Sequence, residues 1–564
     1  MAGTGRSESR GLKAKVPRGT LGKDVPAGLV LGVESVPDGL AGGLLAGVNP
    51  IYGLYGYMFG TLFGAVATSS AFMAVQATGA MAVVVSDVPQ VHGDTPEANA
   101  ALFTLTVLTG IVMLGLGLAR MGWIVRWVPN AVLTGFINAV AINIILGQLD
   151  YVTGYEADGG NRVARAIDTA VSLPEWQAAA VVVSVATIAL ILVLERTRLG
   201  ALGLVVAVGL GSALGALEFL PVLQLRDITE VPSGLPAPSL PTLGMVGALI
   251  VPALSLAFVG LVQGAAISSS VPNPDGTYPD ASGDFRGQGV ANIGAGLLQG
   301  MPVGGSMSAT SLVTNAGARS RIALFVAGLT MVLVVLAFSE LVGYIAMPAL
   351  AGLLVVVGFR TLKPEQVRMV WRTGPIQATV MTLTFVLTLV IPLQYAVLVG
   401  IGMSVLLYVI RQSNRITIKS WSFTETGAVE EGDPPAEVGV NEVLVLRPYG
   451  SLFFAATGAF EEALPSVSEE SRRSVVILTL RGKEDLGSTF INLTTRYAKT
   501  LADHDCLLKV SGVSDGVMSQ LEVTGALAVI GADNIYLSTA SLTESTRQAM
   551  RDADEWMEAT AAPE

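Results

Sequence analysis

The stretch GMPVGGSMSATSLVTNAGARS, residues 300–320, decides the fold. It is built from small and hydroxylated residues, carries no charge before Arg319, and lies between two long apolar runs. A second stretch, SSAFMAVQATGAM at 69–81, has the same character. Each leaves an apolar run too short to cross a bilayer as a plain helix, which needs ~20 residues. Irregular backbone is tolerated at membrane depth only where protein buries it or where it lines a wet cavity. Two interrupted spans at matching places of two halves point to a transporter built from inverted repeats, with its site at the breaks. The plainer reading is that these small residues let helices pack closely.

The rest of the chain fits that frame. The protein has 564 residues, 51% hydrophobic and 14% charged, with a mean hydropathy of +0.61. A soluble domain carries about 25% charged residues, so the chain reads as a polytopic membrane protein. Apolar runs extend from near Val25 to near Ile410 and divide into about fourteen segments. They are 25–47, 51–67, 77–88, 98–119, 128–148, 175–195, 200–220, 246–268, 287–300, 308–318, 321–342, 347–359, 376–392 and 395–411. With a cytoplasmic N-terminus, inner loops would hold Arg120, Arg126, Arg196, Arg198, Arg286, Arg319, Arg321, Arg360, Lys363, Arg368 and Arg372. Outer loops would hold only Arg162, Arg165 and Arg226. The positive-inside rule then puts both termini in the cytoplasm. About twelve crossings would give the same parity. The N-terminal residues 1–22 are polar and basic, with no signal-peptide core.

The composition changes near Trp421. An acidic, proline-containing linker is expected over 413–438, after a membrane domain over 23–412. Residues 439–564 alternate strands and helices, which predicts a small α/β domain. NEVLVLRPYGSLFFAATGAFEEAL reads as two strands and the start of a helix. The net charge of −11 reflects acids gathered towards this end, which argues against nucleic-acid binding. One cysteine, Cys506, and two histidines leave no basis for a disulfide or a Cys/His metal site. No nucleophile–base spacing or phosphate loop supports an enzyme.

Four segments in order resemble the sulfate permease (SulP) family, bacterial relatives of the human solute-carrier anion exchangers. They are VPDGLAGGLLAGVNPIYGLYGYMFG (36–60), NAVLTGFINAVAINIILGQL (130–149), the 287–363 region around the opening stretch, and a STAS-like tail with GSLFFAAT (450–457) and EDLGSTFINL (484–493). The resemblance covers about residues 20–555. It implies an α-helical membrane domain of about 14 spans as a 7+7 inverted repeat. Spans 1–4 and 8–11 would form a substrate-holding core, and spans 5–7 and 12–14 a gate. It also implies a cytoplasmic STAS domain, homodimers, elevator-like alternating access, and carriage of sulfate, bicarbonate, chloride or dicarboxylates across the plasma membrane.

In this reading the two half-helices aim their N-termini at each other. Each presents unpaired N–H groups and about +0.5 of a charge, so an anion is held without a cationic side chain. The substrate is expected between Gln76, Ala77, Thr78 and Gly79 on one side and Gly305, Ser306, Ser308, Ala309 and Thr310 on the other. Many family members carry Ser-Arg where this chain has Ser308–Ala309. The missing arginine favours a monovalent anion such as bicarbonate. Gln263, in LAFVGLVQGAAISSS (256–270), stands where the family commonly has an acid. Glutamine cannot exchange a proton. Glu34 and Asp38 are four residues apart, on one helix face. Intramembrane carboxylates suggest function, and repulsion between an ionised Asp38 and an anion at ~5 Å would be on the order of 3 kcal/mol. A co-bound proton or Na⁺ would relieve it, so Asp38 and Glu34 are the coupling candidates; no other cofactor is expected. A structural role for both, with Asp38 paired to Gln263, weighs equally.

Asn138, Asn143 and Gln148 are expected to bond between helices, and Trp123 and Trp127 to anchor at the interface. VPNPDGTYPDASGDFRGQG (271–289) reads as a loop whose aspartates mark turns. In the STAS-like part, Asp485, Ser488 and Thr489 form a loop before a helix that would bind nucleotide or accept a phosphate in related domains. Capping of that helix by Ser488 or Thr489 is the commoner outcome. An uncoupled exchanger or channel-like conductor is the alternative function. A nucleobase permease is a third reading, disfavoured because such permeases lack a STAS domain.

Overall fold

The computed structural model describes residues 20–560 except 94, 124–128, 201, 218–219, 230, 232, 392–394, 396–398, 400–401, 404–405, 408–415, 425–427, 451 and 453–455. It divides into two compact units, 1–404 and 405–564. Within the first, α1 (Leu21–Leu45), α2 (Pro50–Ala67), β1 (Ala74–Gln76), α3 (Gly79–Val85), α4 (Pro96–Leu118), α5 (Asn130–Leu146), α6 (Leu149–Thr153), α7 (Arg162–Val171), α8 (Ala178–Leu194) and α9 (Leu202–Gly215) form the first half. After the short α10 (Leu225–Ile228), the order recurs. The second half is α11 (Val246–Ser270), α12 (Ala281–Leu297), β2 (Gly304–Ser306), α13 (Met307–Asn315), α14 (Ile322–Gly343), α15 (Met347–Thr361), α16 (Pro364–Thr373) and α17 (Pro375–Val390). Thirteen of the expected spans have a counterpart here. Most of the fourteenth, 395–411, lies outside the described residues, as do Arg126, Trp127 and residues 1–19.

Caps and prolines place the helix starts. Asn49 accepts from the Ile51 amide ahead of α2, and Thr95 from Ala98 ahead of α4, each followed by proline at the first helical position. The helices sort into two bodies. α1, α2, α4, α11, α12 and α14 pack together around the two strands, and α5, α8, α9, α15 and α17 form a second group. They meet where α1 touches α9 and α15 and where α3 touches α5. This is the division into core and gate that the family resemblance implies. In each half an amphipathic helix (α7, α16) follows the fifth span, at the same place in the repeat.

One boundary differs in an instructive way. The ninth span was expected from residue 287, but α12 begins at Ala281, within the stretch read as a loop. Asp280 caps it, accepting from the Ser282 and Gly283 amides. Asp275 does mark a turn, bonding Thr277. Asp284 does not. It is fully buried and accepts from Ser69 Oγ (2.8 Å), the Ser70 amide (2.9 Å) and Ser268 Oγ (2.6 Å). Three donors are what allow a carboxylate to sit there. Asn138 accepts from the Lys363 amide and Asn143 donates to Thr388 O across helices, as expected. The buried Gln148 side chain finds no such partner among the described residues.

The second unit is a six-stranded sheet of β3 (Thr417–Phe423), β4 (Val429–Gly432), β5 (Val443–Tyr449), β6 (Val475–Thr479), β7 (Leu507–Val513) and β8 (Ile535–Leu537), ordered β4-β3-β5-β6-β7-β8. β4, β3 and β5 are antiparallel and β5 through β8 are parallel. One face is covered by α18 (Thr457–Ala463), α19 (Ser488–Ala502), α20 (Asp515–Val523) and α21 (Ala526–Ile530), the other by α22 (Glu544–Ala559). The expected linker, 413–438, is a correction: its middle is the β3–β4 hairpin that extends this sheet. Of the two strands expected over 441–464, the first is β5; the second falls on a stretch where residues 451 and 453–455 lie outside the described residues.

Candidate functional site

β1 and β2 pair antiparallel, with Ala74 opposite Ser306, Val75 opposite Gly305 and Gln76 opposite Gly304. The helices that follow therefore leave in opposite directions, and their N-termini face each other across the strand pair. Three paired residues at ~3.3 Å each set that separation on the order of 10 Å. Gly305 is required here because a Cβ would lie 2.9 Å from Gly264 Cα in α11.

Backbone groups of this irregular segment are satisfied from the core helices. Asn292 of α12 both donates to Val303 O (2.7 Å) and accepts from the Val303 amide (2.9 Å). Gln288 accepts from the Gly305 amide at 3.0 Å. Asp284, Gln288 and Asn292 recur every fourth residue, one face of α12, and all three are fully buried. Sequence reasoning missed this stripe. Its signal was present as three polar residues at helical spacing in a membrane span.

The expected site residues divide by what their side chains do. Gln76 is buried and donates to Ser35 Oγ (3.0 Å) and Thr61 Oγ1 (3.3 Å), so its amide faces α1 and α2. Thr310 Oγ1 accepts from the Ala74 amide (3.1 Å) and donates to Ser306 O (2.6 Å), tying the two arms together. Thr78 Oγ1 accepts from the Met81 amide (3.4 Å), so its proton goes to Gln263 Oε1 at 2.9 Å. The Thr78 hydroxyl is thus already engaged, and the Gln263 Nε2 amide is left as the donor at that end. Ala77 and Ala309 are buried and Gly79 half-buried. Ser306 caps α13 through the Ala309 amide and lies 3.2 Å from Ser308 Oγ. Ser308 is exposed. The open end of the site is therefore Ser308 with the first turn of α13, opposite Gln263.

Of the two carboxylates on α1, Asp38 accepts from Tyr57 Oη at 3.1 Å. Tyr57, not Gln263, is its partner. Glu34 makes no hydrogen bond or ion pair among the described residues, and Glu195 and Arg360 of the gate lie within its electrostatic reach. No metal-binding cluster of His, Cys, Asp or Glu occurs among the described residues.

In the second unit, Asp485 accepts from Gln520 Nε2 and the Leu486 amide donates to Gln520 Oε1. Ser488 and Thr489 open α19 and are exposed; neither caps it, since Gly487 is the cap residue and no side chain bonds there. Behind the sheet, Lys509 donates to Tyr536 Oη (2.9 Å), which donates to Asp552. Burial pushes the Lys509 amine below its usual range.

Comparison with known proteins agrees with this architecture. The sulfate permease family model matches residues 21–384, and the STAS domain model matches 435–542. A probable sulfate transporter of Mycobacterium tuberculosis is 25% identical over 533 residues, 93% of this chain and 95% of that protein. The bicarbonate transporter BicA of Picosynechococcus is 26% identical over 399 residues, 69% of this chain and 70% of its own. The murine solute carrier 26 family member A9 anion transporter, solved in an inward-facing state, superposes with a TM-score of 0.83 at 18% identity, covering 98% of this chain and 96% of that one. With the family model matched across the membrane unit and the STAS model behind it, the chain belongs to the sulfate permease family.

Proposed function

We propose that this protein carries a small oxyanion of the sulfate or bicarbonate class across the plasma membrane. The observation that carries the reading is the head-to-head pair of half-helices, whose open end presents Ser308 and the Gln263 amide without a cationic side chain. Helix N-termini favour anions by aimed N–H groups and dipole. The names of the relatives supply the substrate class, and Ala309 in place of an arginine favours the monovalent anion.

The core helices move against the gate helices to expose the site alternately to each side. The homodimer is the assembly, and both termini lie in the cytoplasm. Asp38, held by Tyr57, and Glu34 supply the charge that a proton or Na⁺ neutralises, so transport is symport. The second reading, an uncoupled exchanger or conductor, is favoured by Gln263: a neutral amide fixed by Thr78 cannot carry a coupling proton.

Uptake of labelled sulfate and bicarbonate into proteoliposomes, with an imposed pH gradient, Na⁺ gradient or neither, tests this. Uptake of one anion that follows a gradient, and loses that dependence in Asp38→Asn, is expected. Uptake indifferent to both gradients assigns the protein to the second reading. No uptake of any small oxyanion overturns both.

A further inference from the structure

We propose that Arg162 and Asp87 form a latch that clamps the core to the gate at the mouth where α1 ends. The inference rests on the reading that these two bodies move against each other.

A cavity of about 540 Å³ lies at this mouth. The core contributes Leu44, Gly47 and His92, and the gate contributes Asp150, Tyr151 and Thr388. Arg162 is the first residue of α7, which Asn161 caps by accepting from the Ala164 amide. From there it reaches across the boundary. Its Nη1 lies 3.3 Å from Asp87 Oδ1, and its Nη2 donates to Ser86 Oγ. Both ends are well covered, with side-chain exposures of 16% and 18%.

The ion pairs Arg165–Asp150, Arg360–Glu195 and Arg286–Asp280 each stay within one body, the first two in the gate and the third in the core. Arg162–Asp87 joins core to gate. An anion site in this cavity is the competing idea, but both arginines that line it already face carboxylates. Cohesion is what the geometry supports.

The place of the pair gives it leverage. Ser86 is the C-cap of α3, so Arg162 sits at the negative end of that helix, where a cation is favoured. The N-terminus of the same seven-residue helix is one wall of the anion site, about 10 Å away at 1.5 Å per residue. The latch thus holds the half-helix that bears the site.

The test uses the full chain in proteoliposomes. Cys506 is the sole cysteine, so a C506A background is thiol-free. Leu44→Cys places a thiol at a buried wall of the cavity, and Gly244→Cys, outside the cavity and with nothing within 4 Å of its Cβ, is an exposed control. Labelling by a membrane-impermeant maleimide is measured. Arg162→Gln should raise the Leu44→Cys rate about fivefold, the effect of losing one half-buried pair, and leave the control unchanged. Asp87→Asn should do the same, and the double variant no more than either single. Arg162→Lys should restore most of the slow labelling and covers the case that Arg162→Gln does not fold. Additive effects, or an unchanged Leu44→Cys rate, overturn the latch. Where saturating anion still alters that rate, the latch alone has failed. Where anion alters nothing either, the reading of two moving bodies has failed with it.

Discussion

The two arms that meet at the site share a plan and differ in what they spend their side chains on. The first, β1 and α3, is inward-turned. Its Gln76 bonds α1 and α2, its Thr78 hydroxyl serves Gln263, and α3 beyond Gly79 is wholly apolar and buried. The second, β2 and α13, turns from strand to helix at the exposed Met307 and Ser308, with Ser306 and Ser308 hydroxyls side by side. The first arm is the anchored wall and the second the open, donor-bearing one. Repeat symmetry fixes the backbone of both, while the side chains break the symmetry and give the site a front and a back.

That contrast can be broken most severely through Gln263. Gln263→Glu keeps the acceptor for Thr78 but adds a charge facing the anion. At ~5 Å and a dielectric of ~20 the repulsion is on the order of 3 kcal/mol, a loss of about a hundredfold in anion affinity. Protonation relieves it, so the variant's uptake should recover as pH falls, read as KM against pH. Next is Gly305→Ala, which drives a methyl into Gly264 Cα. Overpacking of this kind costs about 1–3 kcal/mol, visible as a lower melting temperature together with slower uptake. Ser308→Ala removes one donor from the open arm and should raise KM about fivefold, the worth of a hydrogen bond near 1 kcal/mol, with little change in stability. Gln76→Leu closes the series. It leaves Ser35 and Thr61 without their donor, so it should lower thermal stability by about 1–3 kcal/mol while KM stays within about twofold of the parent value. A large KM change in Gln76→Leu and none in Ser308→Ala would exchange the roles of the two arms.

Much of this was legible in the sequence, for physical reasons that can be named. The arms announce themselves because small polar residues interrupt apolar runs, and a membrane allows that only where protein shelters the backbone. The direction of their side chains was not legible. Gln76, Thr78 and Thr310 look alike as polar neighbours of a site, and only the partners Ser35, Gln263 and Ala74 separate them. The start of α12 was hidden by Asp284, which stands among prolines and glycines where an acid usually marks a turn. Its partners Ser69 and Ser70 come from the other half of the membrane unit, and Ser268 from the end of the preceding helix, α11. Reading 284, 288 and 292 as a four-residue period would have found it. The β3–β4 hairpin was masked by composition. β4 is largely exposed and carries Glu430 and Glu431, and charge on an edge strand resembles a linker while it guards the sheet against further pairing.

The central claim is that the anion lies against the open arm, between Ser308 and Gln263. Ser308→Cys in a C506A background places one reactive thiol there. Its rate of modification by a small charged methanethiosulfonate, with and without saturating transported anion, measures occupancy directly. The account predicts that the anion slows modification, and that Gln263→Glu removes this protection at neutral pH. Modification at one unchanged rate, while the same preparation still takes up the anion, would contradict it.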